Sequence, residues 1–201
     1  PVLDVGAGTG LVGGILRGMN VKDIDGIDLS DDMLKVARMK GEYRGLYAGD
    51  VTQPLDLIDA PYMGVVSAGT FTLGHVGPDA LRHMLGVAAT GALFVISVNA
   101  THYVSAGFEA AIAGLDDQIS DMTIRDVRIY DDRADEKHRS DKAKLLVFRK
   151  ALTYGDRMVR QMAYKNSATG IDDSTTGFGI SLSGKFVFSN KDDFRWMAST
   201  G

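Results

Sequence analysis

The sequence predicts an α/β protein whose sheet is mostly parallel and closes in an antiparallel pair. Three observations carry this reading. Short apolar runs alternate with segments of helical period over the first three quarters of the chain. The first of these runs empties into a turn with three alternating glycines, Gly6, Gly8 and Gly10, and then into a helix. Farther on, two strand-like runs at 124–130 and 145–148 follow each other with no helix between them. The composition agrees with a packed core: 45% of the 201 residues are hydrophobic and 24% are charged.

The elements follow in order. The strands expected are Val2–Val5, 24–29, Gly45–Ala48, 64–67 and 93–98, the third being the weakest pattern. A helix between the second and third has Ser30 as its N-cap, Asp31 and Asp32 in its first turn, and Gly41 as its stop. Met33, Leu34 and Ala37 form its inner face, and Arg38 and Lys40 stand near its end. A further helix opens at Gly77-Pro78-Asp79 and turns Leu81, Met84, Leu85 and Ala88 inward. Another places Phe108, Ile112, Leu115 and Ile119 along one stripe. Residues 131–144 are almost all charged and read as a solvated hairpin loop.

The expected domains are 1–150 and an extension at 151–201, rich in Ser, Thr, Gly and Asp, with alternation through Ile180, Leu182, Phe186 and Phe188 that suggests a β-hairpin. The extension has six basic and five acidic residues against 16 and 21 before it, so the net charge of −4 originates in the first part. That balance argues against general binding to a phosphate backbone, and no nucleic-acid partner is expected. The chain has no Cys, which excludes a disulfide scaffold, a thiolate zinc site and a Cys nucleophile, and fits a reducing, cytoplasmic compartment. No metal site and no membrane association are expected, since no apolar run has the length of a span. The chain opens within an apolar run and without Met, so the first domain is expected to lack its natural upstream segment.

The glycine turn is the strongest chemical signal. Glycines let the backbone turn sharply and approach a ligand, and the helix N-terminus behind them offers free amides to it. Gly8 to Gly13 also satisfies the G-x-G-x-x-G spacing of dinucleotide sites, a weak match when alone. Asp4, within the first strand, tilts the choice: it repels a pyrophosphate and attracts a ligand with an ammonium and a sulfonium. Asp28 closes the second strand 18 residues after Gly10 and suits the two hydroxyls of a ribose; a helix-entry acid is the alternative. Asp50, after the third strand, is either an acceptor for an adenine amine or an ordinary Asx turn.

Asp4-Val5-Gly6-Ala7-Gly8-Thr9-Gly10, then Ile27-Asp28-Leu29-Ser30 with Met33-Leu34, then Gly49-Asp50, resemble the successive motifs of the class I S-adenosylmethionine-dependent methyltransferases. The resemblance covers roughly residues 1–150 and implies a Rossmann-like, seven-stranded sheet in a three-layer αβα arrangement. It also implies S-adenosylmethionine as cofactor, with Asp4, Gly6, Ala7, Gly8 and Gly10 toward its methionine end, Asp28 and Leu29 toward the ribose, and Asp50 and Val51 toward the adenine. Ser67 and Phe71, at the fourth strand, are further expected cofactor contacts, Phe71 being equally an ordinary core aromatic.

The segment after that strand lacks the Asn/Asp-Pro-Pro-aromatic motif of enzymes that methylate nucleobase or amide nitrogens, so the expected acceptor is a small molecule. His75, in the loop that follows, is the candidate catalytic base, with helix capping as the alternative. Asn99, His102 and Tyr103, expected in the loop after the fifth strand, carry the same two readings. A nicotinamide-dependent oxidoreductase and a non-catalytic adenosyl-binding module are the rival functions.

Overall fold

Val2–Val5 forms β1, and the chain then alternates: α1 (Leu11–Gly18), β2 (Ile24–Asp28), α2 (Asp31–Lys40), β3 (Gly45–Ala48), β4 (Tyr62–Phe71), α3 (Ala80–Gly86) and β5 (Ala88–Asn99). There follow α4 (Ala100–Ser105), α5 (Phe108–Ala113), β6 (Ile119–Arg128), β7 (Lys142–Lys150), β8 (Ser181–Val187) and β9 (Asp193–Ser199). This computed structural model describes residues 1–57, 61–128, 142–152, 181–187 and 193–199. The charged loop expected over 131–144 therefore falls mostly outside the described residues, as do Ile180 and Phe188.

Seven strands form one sheet in the order β3-β2-β1-β4-β5-β7-β6. Neighbours from β3 to β5 run parallel, while β7 is antiparallel to both β5 and β6. The architecture is the Rossmann-like α/β sheet with its closing antiparallel pair. Register sorts the side chains by face, because parallel partners point the same way. Leu3 pairs with Val65, and Val65 with Phe94, which stacks on Phe148 at 4.7 Å. These join Leu81, Met84, Leu85 and Phe108 in the main core. Asp4 pairs with Gly26 on the opposite face, under α1 and α2.

The boundaries of α2 follow their chemistry. The Ser30 hydroxyl accepts from the Met33 amide at 3.3 Å, and Gly41 ends the helix at φ 68. Leu34 and Ala37 are buried, but Met33 is 44% exposed, because it lies over the glycine turn and not under the helix. The stripe predicted from Phe108 to Ile119 is shorter than a helix: α5 stops at Ala113 before Gly114, Leu115 is buried in the next turn, and Ile119 already belongs to β6. Ala88 likewise opens β5 and is not part of α3. Where a loop was expected after β5, Asn99 caps α4 by accepting from the amides of Thr101 and His102 at 3.0 and 3.1 Å.

The chain separates into two compact units, Pro1–Leu152 and Thr153–Gly201. In the second, β8 and β9 pair antiparallel in a continuous register from Ser181↔Ser199 to Val187↔Asp193.

Candidate functional site

The glycine turn forms the carboxyl end of β1, and all three of its glycines sit at positive φ (Gly6 at 74, Gly8 at 53, Gly10 at 86). Gly6 has a second reason to lack a side chain, because a Cβ there would lie 1.9 Å from Thr70 Oγ1. The amides of Gly6 and Ala7 donate to the Ile27 carbonyl at 2.8 and 3.0 Å, which fastens the turn to β2. Gly10 caps α1 without a side chain. As the first two amides of that helix, those of Leu11 and Val12 have no intrahelical acceptor and are free for a ligand.

Asp28 stands at the end of β2, half-buried. One carboxylate oxygen accepts from the Gly8 amide and the other from the Ser30 amide, each at 2.8 Å. It thus braces the turn and enters α2 at the same time, and each oxygen keeps capacity for a second hydrogen bond. Leu29 beside it is 75% exposed. Asp50 follows β3 on the surface and forms an Asx turn, accepting from the Thr52 amide at 2.9 Å and hydroxyl at 2.7 Å. Those hydrogen bonds hold its carboxyl below the usual carboxylate range. Val51 is buried behind it.

Asp4 is buried completely, and so is Asp25 on the other face of the sheet. The two are treated differently. Asp25 receives Arg44 on both oxygens, at 3.0 and 2.6 Å, and the Tyr62 hydroxyl at 2.9 Å. Asp4 receives only the Tyr43 hydroxyl on Oδ2, at 2.6 Å, and its Oδ1 has no partner among the described residues. Burial raises the Asp4 pKa to about 7, against the lowering effect of the Tyr43 hydrogen bond and with Asp28 adding to the rise. Direct contact between a ligand's ammonium and Asp4 is not what this arrangement offers, since the carboxylate has no exposed surface. An unsatisfied buried acid directly under a glycine turn with free amides fits a cationic adenosyl ligand, whose ribose Asp28 has the spare acceptors to hold.

Two other expected contacts are occupied elsewhere. The Ser67 hydroxyl, buried, donates to the Val5 carbonyl at 2.8 Å, and Thr70 Oγ1 donates to the same oxygen at 2.9 Å. Ser67 therefore braces β1 from β4, where a shift in register lets both hydroxyls reach one carbonyl. Phe71 is fully buried, edge-on to Phe108 at 5.7 Å, which is the core reading of that residue. His75 lies exposed in the loop between β4 and α3, at the carboxyl edge of the sheet. His102, expected in a loop, is instead buried in α4, where its Nε2 meets the Val76 carbonyl at 2.8 Å and ties down the loop bearing His75. Tyr103 is buried beside it, stacked on Phe108 at 5.7 Å. Among the described residues no group of His, Asp and Glu could hold a metal ion, and no helix is long and apolar enough to cross a membrane.

Tyr43 and Thr70 carry no signal in the sequence. Only the tight glycines Gly13 and Gly26 hint that something large lies against them, and they do not say what.

Residues 2–91 match the family described as methyltransferase domain. No curated protein matches the chain by sequence. Among solved structures, the chain is similar to the TehB-like SAM-dependent methyltransferase from Corynebacterium glutamicum, with 22% identity, 74% of this chain and 79% of that one covered, and a TM-score of 0.53. It is also similar to the N-methyltransferase NodS from Bradyrhizobium japonicum, with 16% identity, coverage of 75% and 85%, and a TM-score of 0.55. A third is an rRNA methylase from Streptococcus thermophilus, with 15% identity, coverage of 75% and 87%, and a TM-score of 0.52. At these identities the structures show the fold alone, while the match over residues 2–91 marks a methyltransferase domain there, and S-adenosylmethionine is the cofactor that this family implies.

Proposed function

We propose that the chain transfers the methyl group to a small-molecule acceptor, with the glycine turn, Asp28 and Leu29 holding the cofactor and His75 serving as the base. The observation that carries the reading is the end of β4 with the loop that follows it. The hydroxyls of Ser67 and Thr70 in β4 are committed to the Val5 carbonyl, whereas the imidazole of His75 in the loop beyond is exposed at the carboxyl edge of the sheet and can take an acceptor's proton. A base of that kind suits a hydroxyl or amine of a compact substrate. The surplus of five acidic residues in 1–150, 21 against 16, disfavours a polyanion in its place. A cytoplasmic location agrees with the absence of Cys.

Bound S-adenosylmethionine supplies an electrophilic methyl on a sulfonium. The protein's part is then to orient and to exclude water. Asp28 fixes the turn through Gly8, the first amides of α1 present donors to an anionic end of the ligand, and His102 anchors the loop that presents His75. Asp50 with Val51 forms the wall proposed for the adenine, while Ser67 braces β1 below the turn and Phe71 packs in the core.

Two measurements test this. Calorimetry with S-adenosylhomocysteine is expected to show Asp28→Ala weakened by about 1.5 to 3 kcal/mol, the worth of a hydrogen bond to a charged group. Unchanged affinity removes Asp28 from the site. With methyl-labelled cofactor and a cell extract, label is expected in the small-molecule fraction, and His75→Ala is expected to abolish it while cofactor affinity stays the same. Label in RNA overturns the proposed acceptor.

A further inference from the structure

Tyr43 follows α2 in the connection to β3, and its ring occupies a slot walled by three glycines from separate elements. A Cβ on Gly10 would lie 3.1 Å from Cε2 of the ring, one on Gly26 3.0 Å from Cε1, and one on Gly13 2.4 Å from Cζ. The glycine at position 13, which completes the G-x-G-x-x-G spacing, is thus accounted for by a tyrosine and not by a ligand's phosphate.

The hydroxyl at the end of that ring makes two contacts of opposite sense. It donates to Asp4 Oδ2 at 2.6 Å and accepts from the Gly13 amide at 3.0 Å. Gly13 supplies the third amide of α1, a donor that a side-chain N-cap would ordinarily satisfy, and Gly10 has no side chain to do so. Tyr43 takes over that duty from 30 residues away. Asp4 stands two residues before the first glycine of the turn, and Gly13 three residues after the last. One oxygen atom therefore pins both ends of the turn, while Asp28 holds its middle through Gly8.

We propose that Tyr43 is a positioning residue for cofactor binding, whose hydroxyl joins the strand before the glycine turn to the helix after it and so sets the turn in its binding shape before the cofactor arrives. This rests on the reading of the turn as the cofactor site. A turn fixed in advance loses less freedom on binding, and that difference appears as affinity.

The test is Tyr43→Phe in the full chain. Phenylalanine still fills the glycine slot and removes only the oxygen. Affinity for S-adenosylhomocysteine, measured well below the melting temperature of each protein, is expected to fall about tenfold, as the turn without its two hydrogen bonds to the hydroxyl must be ordered on binding. Exchange of the Gly13 amide with solvent is expected to speed up in the variant. A purely structural tyrosine would lower the melting temperature and leave the affinity of the folded protein unchanged, and that result overturns the proposal. Should the variant not fold, the wild type decides: slow exchange at Gly13 that S-adenosylhomocysteine leaves unaltered supports a turn fixed in advance. Protection that appears only with the ligand refutes it. A wild type that binds no S-adenosylhomocysteine fails at an earlier step, the cofactor reading of the turn, and takes this inference with it.

Discussion

Asp4 is the residue at which burial and charge conflict most directly. Its pKa rises from 3.8 to about 7 on folding. An acid with a raised folded pKa contributes stability that is fully present below its unfolded value and is lost as pH climbs through the folded one. Between about pH 4 and 7, wild type is therefore expected to lose stability relative to Asp4→Asn, and the two curves should run parallel above that window. Thermal melts of both proteins across that range check it, and parallel curves throughout would mean that Asp4 is ionised in the folded protein. The glycine turn and the end of β2 at Asp28 are legible in the sequence because glycine spacing is a local signal and periodicity marks a strand end. Tyr43 was not legible, since its partners Asp4 and Gly13 lie 39 and 30 residues away and meet it only when the sheet is assembled.

At the scale of elements, α1 shows a conflict between local preference and packing. Alanine is the better helix former by about 1 kcal/mol, so propensity alone favours Gly13→Ala. The added methyl would overlap the Tyr43 ring, and Gly10 and Gly26 on the other sides leave that ring nowhere to move. Gly13→Ala is therefore expected to destabilise the protein by about 1 to 3 kcal/mol, measured by urea unfolding. A gain in stability would show that the ring yields. Elsewhere the legibility of an element tracked its punctuation. The ends of α2 are legible because Ser30 and Gly41 are local signals with local effects. The six residues of α4 have no apolar stripe to mark them, and of the polar residues that read as loop, Asn99 caps the helix while His102 is a buried anchor. The stripe through Ile119 misled because spacing alone does not reveal that the chain leaves the helix at Gly114 and enters a strand.

For the whole molecule, the division at Leu152 gives a direct expectation. The seven-stranded sheet is complete with β7, and Ala151 donates to Gln118 at 2.8 Å just beyond it. A chain ending at Leu152 is expected to unfold cooperatively and to bind S-adenosylhomocysteine as the full chain does. Aggregation or weakened binding, seen by gel filtration and calorimetry, would assign part of the core to residues 153–201. The Val5 carbonyl, clasped by Ser67 and Thr70, has a consequence of another kind. It joins the glycine turn at the end of β1 to the strand that leads to His75. On the proposed roles of the turn and of His75, any factor by which the methyl donor changes the hold on an acceptor seated against that loop is, by reciprocity, the factor by which the acceptor changes the hold on the donor.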